Sequence, residues 1–526
     1  MTAEHHHVAI VGGGHNALVA AALLAREGLD VVVLERLPHV GGAAVSERPW
    51  PGVDARLSRY AYLVSLFPEA LAADLGLDLE LRSRATASFT PYDGPHGPAG
   101  LLVETDPGDV TRASFRALTG SDDEYGAWQE LYTELDGLAR VVAPTLLDPL
   151  PREGDVRENV RAAVGQQVWT DVVERPLGEA IERRLAHDVV RGVVATDALI
   201  GTFTSLFDPA RLANRCFLYH VVGNGTGEWR VPVGGMGAVT AALERAARSA
   251  GAAVRTGHEV THVGPDAAGV SIEGRLASGE GFAVRADHVL CGAAPAVLAR
   301  LLGEEPLGPA PHGAQLKINL LVSRLPRLRS GVDPRVAFAG TVHVGEPMSR
   351  LEALHADPTA GLGSAGELYC HTLTDRSILG PDLAASDAQT LTWFGLHTPD
   401  DALRAPGAED AAFRTAVAAL DAHLAEPLAD VLLHAEVRTP AEIETDLAMP
   451  GGHIFHGDLA WPWLPDDALA HTPAARWGVA TGHDRVLLCG SGSRRGGAVS
   501  GLGGHSAARA LLETLATRSS TARVTG

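Results

Sequence analysis

Gly12, Gly14, Ala17 and Glu35 have the types and spacing to bind a dinucleotide. Gly12 permits a tight turn, Gly14 lets a pyrophosphate approach backbone N–H groups at a helix N-terminus, and Ala17 lets that helix lie close to a sheet. His15 and Asn16 fall within the same turn. Glu35 follows Gly14 by about 20 residues, where a carboxylate accepts both hydroxyls of an adenosine ribose. Two further candidates stand apart. Lys317 is the only lysine among 43 Lys-plus-Arg positions. Within the apolar run Leu316-Lys317-Ile318-Asn319-Leu320-Leu321, a compact ammonium can hold a water and shift its pKa on desolvation, which a guanidinium does not do. The loop Gly451-Gly452-His453-Ile454-Phe455-His456-Gly457-Asp458 surrounds two histidines with glycines, a pattern for bringing polar groups to an apolar pocket, and His456 is the candidate there. Each has a plain alternative: Lys317 on the solvent face of a strand, and His456 packed against Phe455.

Regular elements must position these residues. Residues 8–11 read as a strand, Gly12-Gly13-Gly14-His15-Asn16-Ala17 as a GxGxx(G/A) turn, and the following residues as a helix through Leu24 that ends near Gly28. Residues 31–34 then read as a buried parallel strand. Near the other end, residues 486–489 predict a short strand, residues 490–501 a glycine loop able to bring backbone donors to a polar group, and residues 505–515 a helix. The last ten residues are polar and expected to fray. Between the two ends, Val231-Pro232-Val233-Gly234-Gly235-Met236-Gly237 opens a helix over 238–249, and short alternating strands run to Cys291. Residues 177–198 carry helical patterning and residues 315–322 predict a strand.

Composition narrows the class. A chain of 526 residues with 46% hydrophobic and 20% charged residues is an ordinary globular protein, long enough for two domains. A formal net charge of -21 argues against nucleic acid as a partner. The 4 cysteines, Cys216, Cys291, Cys370 and Cys489, are scattered without a CxxC, so a redox dithiol, a disulfide framework or a zinc knuckle is not expected. His5-His6-His7 lacks partners at ligand spacing and reads as a terminal fragment; no metal is expected. The apolar stretch 17–34 is interrupted by Arg26, Glu27, Gly28 and Asp30, so it does not span a membrane, and no secretory signal precedes it. A cytoplasmic protein is the expectation, with peripheral membrane contact left open.

After Glu35-Arg36 come four residues and then Gly41-Gly42-Ala43-Ala44, which resembles the Arg-x4-Gly-Gly element of flavoproteins in the amine oxidase and phytoene desaturase superfamily. The chain is similar throughout to the phytoene-desaturase-related branch of pyridine nucleotide-disulfide oxidoreductase domain-containing proteins. Ser58-Arg59-Tyr60, Asp197-Ala198-Leu199-Ile200-Gly201, Gly234-Gly235-Met236-Gly237, Lys317-Ile318-Asn319 and Gly452-His453-Ile454-Phe455-His456-Gly457 carry that similarity in order. It implies an α/β fold: a discontinuous Rossmann-like FAD-binding domain (1–75, 228–300 and 470–526) with an inserted α+β substrate domain (76–227 and 301–469). It implies non-covalent FAD held by Gly12, Gly14, His15, Asn16, Ala17, Glu35, Arg36, Gly41, Gly42, Ala43, Ala44, Val260, Gly490, Ser491, Gly497 and Val499. The C-terminal segment of this superfamily meets the flavin ring and ribityl chain, and Lys317 resembles the flavin-proximal lysine of amine oxidases. One departure is clear. Where relatives commonly carry His-Pro, this chain has Arg494-Arg495, either a cation near the flavin or an acidic substrate, or a solvent-facing pair.

No second dinucleotide fingerprint follows, because Gly223-Asn224-Gly225-Thr226-Gly227 lacks a downstream strand and acid. With no CxxC either, disulfide reduction is not expected. The expected reaction moves a hydride from a small, apolar substrate to the flavin, a carbon–carbon dehydrogenation, and passes electrons to oxygen or a quinone. Amine oxidation competes with this reading. Those enzymes box the substrate with aromatics, one of them from the C-terminal segment, whereas the last tyrosine here is Tyr369. A redox-neutral flavin isomerase and a non-catalytic flavin-binding scaffold are the remaining alternatives.

Overall fold

The computed structural model describes residues 4–524. Two seven-stranded sheets organise it. In the first, Glu4–Val11 lies between Gly281–Cys291 and Val31–Leu34, parallel to both; Ala253–Arg255 extends one side and Val486–Leu488 pairs with Gly281–Cys291, again parallel. An antiparallel meander, His258–Pro265 with Val270–Leu276, completes it. Val31–Leu34 and Val486–Leu488 are continuous valine and leucine runs because both faces of the sheet are covered there: all four residues of Val31–Leu34 are buried. This sheet therefore draws on three separated stretches of chain, as a Rossmann-like fold interrupted by insertions requires.

The helix His15–Arg26 packs against this sheet and is covered by Met236–Ser249 and by the C-terminal helix Leu502–Val524. The last contact is close, since a Cβ on Gly504 would sit 1.8 Å from the Asn16 carbonyl oxygen. That C-terminal helix begins earlier and runs much further than residues 505–515, and it continues through most of the stretch expected to fray. Its start at Leu502 follows from the turn at Gly501, whose φ of +71° favours glycine. His5, His6 and His7 belong to the strand Glu4–Val11 rather than to a tail, and the His6 ring bonds Asp30 at 3.0 Å.

The second sheet runs in the order Leu432–Arg438, Leu316–Val322, Gln389–Gly395, Gly366–Tyr369, Thr341–Val344, Thr86–Gly94 and Gly97–Glu104. A helical layer that includes Asp123–Val142, Leu177–Arg184, Asp188–Ala195 and Leu212–Val222 packs beside it around Trp128, Trp169 and Trp463. Residues 177–198 thus form two helices and a short 3-10 turn instead of one, broken at Leu185, which takes an extended conformation. Among the described residues no helix is long and apolar enough to cross a membrane.

Candidate functional site

One cavity of about 980 Å³ runs from the first glycine turn to the second sheet. Gly14 caps the helix His15–Arg26 without a side-chain hydrogen bond, and the first turn of that helix has no acid, so its N–H groups are open to an anion. A Cβ on Gly14 would meet nothing within 4 Å, which is the open cradle a pyrophosphate needs. His15 Nε2 and Asn16 Oδ1 are buried there without partners among the described residues. Burial lowers the His15 pKa to about 4, so the ring is neutral and polar rather than charged. Glu35 ends its strand with both oxygens held: Gly13 N–H donates to Oε2 at 2.6 Å and Leu37 N–H to Oε1 at 2.8 Å. Those bonds fix the carboxylate at the cavity wall while leaving lone pairs for a diol. The donor set therefore fits FAD.

Glu35→Ala is expected to weaken FAD binding roughly 10- to 150-fold, the equivalent of a charged hydrogen bond of about 1.5–3 kcal/mol. Retention of cofactor through dilution and gel filtration reads the effect. Undiminished retention would sink the ribose assignment.

Nearly all the residues expected to bind the cofactor border this one cavity: the turn residues Gly12, Gly14, His15, Asn16 and Ala17, then Glu35, Arg36, Gly41, Gly42, Ala43, Val260, Gly490, Ser491, Gly497 and Val499. Ala44 does not. Its side chain is fully buried in the core beneath the first sheet and its carbonyl accepts from the Thr240 hydroxyl, so it packs the turn instead of lining it. Arg36 borders the cavity, but its guanidinium donates to the Asp446 carbonyl at 2.6 Å. Neither expectation for Arg494-Arg495 survives. Arg495 is 1% exposed and donates to the carbonyls of Pro462, Leu146 and Asp148, and Arg494 donates to those of Trp461 and Trp463. Both arginines bind peptide carbonyls beneath the C-terminal loop; Arg495 is buried, Arg494 is half-buried, and neither borders the cavity.

Lys317 and His456 both border the cavity. All seven residues of Leu316–Val322 are buried, which removes the solvent-face reading of Lys317. Alternation explains the arrangement: Leu316, Ile318, Leu320 and Val322 point into the core of the second sheet, and Lys317 points the other way. Its Nζ donates to Ser58 O at 2.7 Å and Tyr60 O at 2.6 Å and lies 5.3 Å from the centre of the Tyr62 ring. Burial holds its pKa well below that of an ordinary lysine, against the opposing pull of Glu436. His456 has φ +65°, in the left-handed region, and its Nδ1 is buried without a partner among the described residues. Burial, reinforced by His15 and His453, brings its pKa down to about 4. A neutral ring suits a hydrogen-bonding role better than a proton-donating one.

The left-handed backbone gives a direct test. His456→Gly relieves about 1–2 kcal/mol of strain that His456→Ala retains, so the glycine variant is expected to melt higher than the alanine variant. If His456 contacts substrate or flavin, both slow flavin reduction alike. Equal melting points would show that the loop does not hold that backbone in solution.

A second polar group has no motif of its own in the sequence, although Asp197 opens one of the segments that carry the family similarity. Tyr62, Arg84, Asp197, His343, Glu367 and Tyr369 border the same cavity at its far side. Tyr62 and Tyr369 lie 4.4 Å apart between ring centres, and Phe394 is 5.3 Å from Tyr62. Burial raises both tyrosine pKa values well above normal, so these hydroxyls keep their protons. The Tyr369 hydroxyl donates to Glu367, whose own pKa burial pushes up to about 7. Local spacing could not reveal this group, because its members come from separate strands and loops.

A glycine turn on the parallel part of one sheet, an acid at the second strand and a deep cavity shared with a second, mostly antiparallel sheet are the features of a two-sheet, flavin-dependent oxidoreductase. Comparison with known proteins agrees. Residues 10–70 match the family model described as an NAD(P)-binding Rossmann-like domain, and residues 153–324 match that of the flavin containing amine oxidoreductases. The chain is 46% identical to an uncharacterized protein of Mycobacterium tuberculosis, covering 97% of this chain and 98% of the relative. It is 28% identical to the pyridine nucleotide-disulfide oxidoreductase domain-containing protein 2 of Mus musculus, covering 96% of this chain and 93% of that one. The structure of cyclohexylamine oxidase from Brevibacterium oxydans shares the fold, with a TM-score of 0.57 at 16% identity over 97% of this chain and 99% of that chain. The chain belongs to one family with the Mycobacterium tuberculosis protein, is homologous over nearly its whole length to the pyridine nucleotide-disulfide oxidoreductase domain-containing proteins, and carries a segment of the flavin containing amine oxidoreductases. It is an FAD-dependent oxidoreductase of small molecules.

Proposed function

We propose that this protein dehydrogenates a carbon–carbon bond of a largely apolar substrate, with FAD bound non-covalently and oxygen or a quinone as the final acceptor. The observation that carries the reading is the cavity itself: beyond the glycine turn its walls include Leu66, Ile200, Ile454, Phe455 and Leu459. We also propose the division of labour expected from the chain order, with 1–75, 228–300 and 470–526 binding FAD and 76–227 and 301–469 shaping the substrate space. None of the four cysteines borders the cavity, so no thiol is placed to tether the cofactor.

When bound, FAD supplies a two-electron acceptor for a hydride. The chain's own part is to orient substrate and govern water and protons. Apolar side chains exclude bulk water and hold the substrate C–H bond against the cofactor space. Lys317, clamped by two carbonyls, holds a water or a proton between that space and the second sheet. Amine oxidation is the second reading, and it gains support from the tyrosine pair: Tyr62 and Tyr369, with Phe394, supply aromatic walls from outside the C-terminal segment.

Anaerobic bleaching of the flavin by a panel of polyenes, unsaturated lipids and amines separates the readings. Bleaching by an apolar member supports dehydrogenation. Bleaching by amines alone replaces it with amine oxidation, and turnover that requires reduced FAD without net electron consumption replaces it with isomerisation.

A further inference from the structure

We propose that His343, Glu346 and Glu367 form a binding site for one divalent transition-metal cation, opening onto the far side of the cavity. One ligand atom from each side chain lies within 4.8 Å of the others. The fold builds this cluster from two strands and a turn. His343 and Glu367 are directly opposite in the antiparallel pair Thr341–Val344 and Gly366–Tyr369, so they share a face. Gly345, at φ +69°, then turns the chain so that Glu346 joins them, and His343 Nδ1 is 2.6 Å from Glu346 Oε2 and 3.9 Å from Glu367 Oε1. The turn has no slack: a Cβ on Gly345 would lie 2.4 Å from the Ser364 carbonyl oxygen, and one on Gly192 only 1.7 Å from that of Glu346.

Charge makes the case for a cation. Glu346 is 2% exposed, and its Oε1 is buried with no hydrogen-bond partner among the described residues. Asp197 borders the cavity nearby, interacting electrostatically with His343, and its carboxylate makes no hydrogen bond or ion pair with a described residue. Arg84, the one guanidinium on this side among the described residues, donates to the Thr341 hydroxyl and acts on Glu367 electrostatically without forming a close ion pair, so a single positive charge faces three carboxylates. Carboxylates gathered around one imidazole away from bulk water need a compensating charge. One nitrogen and several carboxylate oxygens suit Zn²⁺ or Mn²⁺ better than Ca²⁺ or Mg²⁺, which favour oxygen throughout. His343 and Glu367 border the cavity, so a vacant coordination position would face the substrate space and accept an oxygen or nitrogen donor.

The competing account is that protons alone hold the cluster, through the His343–Glu346 and Tyr369–Glu367 hydrogen bonds. Titration of the chelator-treated, FAD-loaded protein with Zn²⁺ and with Mn²⁺, followed by calorimetry and by metal analysis after gel filtration, decides between them. The expected result is one tightly held ion per chain, with affinity reduced about 100-fold or more in Glu346→Gln and in Glu367→Gln. Flavin absorbance and melting temperature confirm that each variant is folded; if one fails this check, the other carries the test. No retained ion in the wild type, or the same stoichiometry and affinity in a folded variant, as surface histidines would produce, overturns the site.

Discussion

Lys317→Met is expected to slow flavin turnover by roughly 10²–10⁴-fold, the usual range for loss of a positioned proton-transfer group, while FAD stays bound. The geometry explains why the change is more than a lost charge. Nζ spends two donors on Ser58 O and Tyr60 O, and burial favours the neutral amine. A neutral amine held by both N–H bonds presents its lone pair to a water or a proton; an ammonium in the same place presents one remaining N–H. Methionine does neither. The substitution also leaves two carbonyls without their donor, so a loss of stability of about 1–3 kcal/mol accompanies the kinetic effect. Lys317→Arg is not expected to rescue turnover, because a planar fork does not fit a site shaped around an ammonium and enclosed by the Tyr62 ring. Anaerobic stopped-flow separates reduction from reoxidation. A variant that melts lower but shows wild-type rates in both half-reactions would make Lys317 a clamp for the 58–60 segment and nothing more.

The contrast between Lys317 and the arginines shows what local sequence can carry. The glycine turn and Glu35 are legible because strand, turn, helix and acid are consecutive, so their spacing alone places them at one strand end. The return of the chain to the first sheet is legible for a similar reason, since Val289-Leu290-Cys291 and Val486-Leu487-Leu488 are short apolar runs that lead into Gly292 and the glycine loop from Gly490. Lys317 stands out as a compositional exception within an apolar strand, but its clamp on residues 58 and 60 depends on contact between distant segments. The motif groups Ala44 with its glycine neighbours, but along the tight turn Ala43 borders the cavity while Ala44 packs into the core. His343, Glu346 and Glu367 fall in ordinary strand and turn patterns, and only the pairing register brings them together. The C-terminal helix extends past its apolar stretch because a helix started against a packed neighbour propagates through residues that would not nucleate one alone.

Arg495 is the place where replacing one side chain should cost the fold most. Arg495→Ala is expected to destabilise the protein by about 3–5 kcal/mol, from a large cavity together with unsatisfied acceptors. At 1% exposure the guanidinium ties two separated segments to its own loop: the Pro462 carbonyl at 3.0 and 3.2 Å on one, and the Leu146 carbonyl at 3.2 Å and the Asp148 carbonyl on the other. Desolvation lowers its pKa to about 10, which still leaves it charged at neutral pH. Among the described residues no carboxylate forms an ion pair with that cation, although the Asp148 charge favours it from a distance, so it is held chiefly by the peptide dipoles it collects. The fork geometry matters because Nε and both terminal nitrogens are used at once, and Arg495→Lys cannot satisfy the same set with one ammonium. Arg495→Met separates the two contributions: it retains most of the volume and loses the donors, so the gap between Met and Ala measures the cavity and the gap between Met and wild type measures the hydrogen bonds. Chemical denaturation of the three variants, monitored by tryptophan emission, gives both numbers. A cost below about 1 kcal/mol for Arg495→Ala would mean that the loop relaxes to let water reach those carbonyls, and the arginine would then be dispensable to the packing beneath the C-terminal glycines.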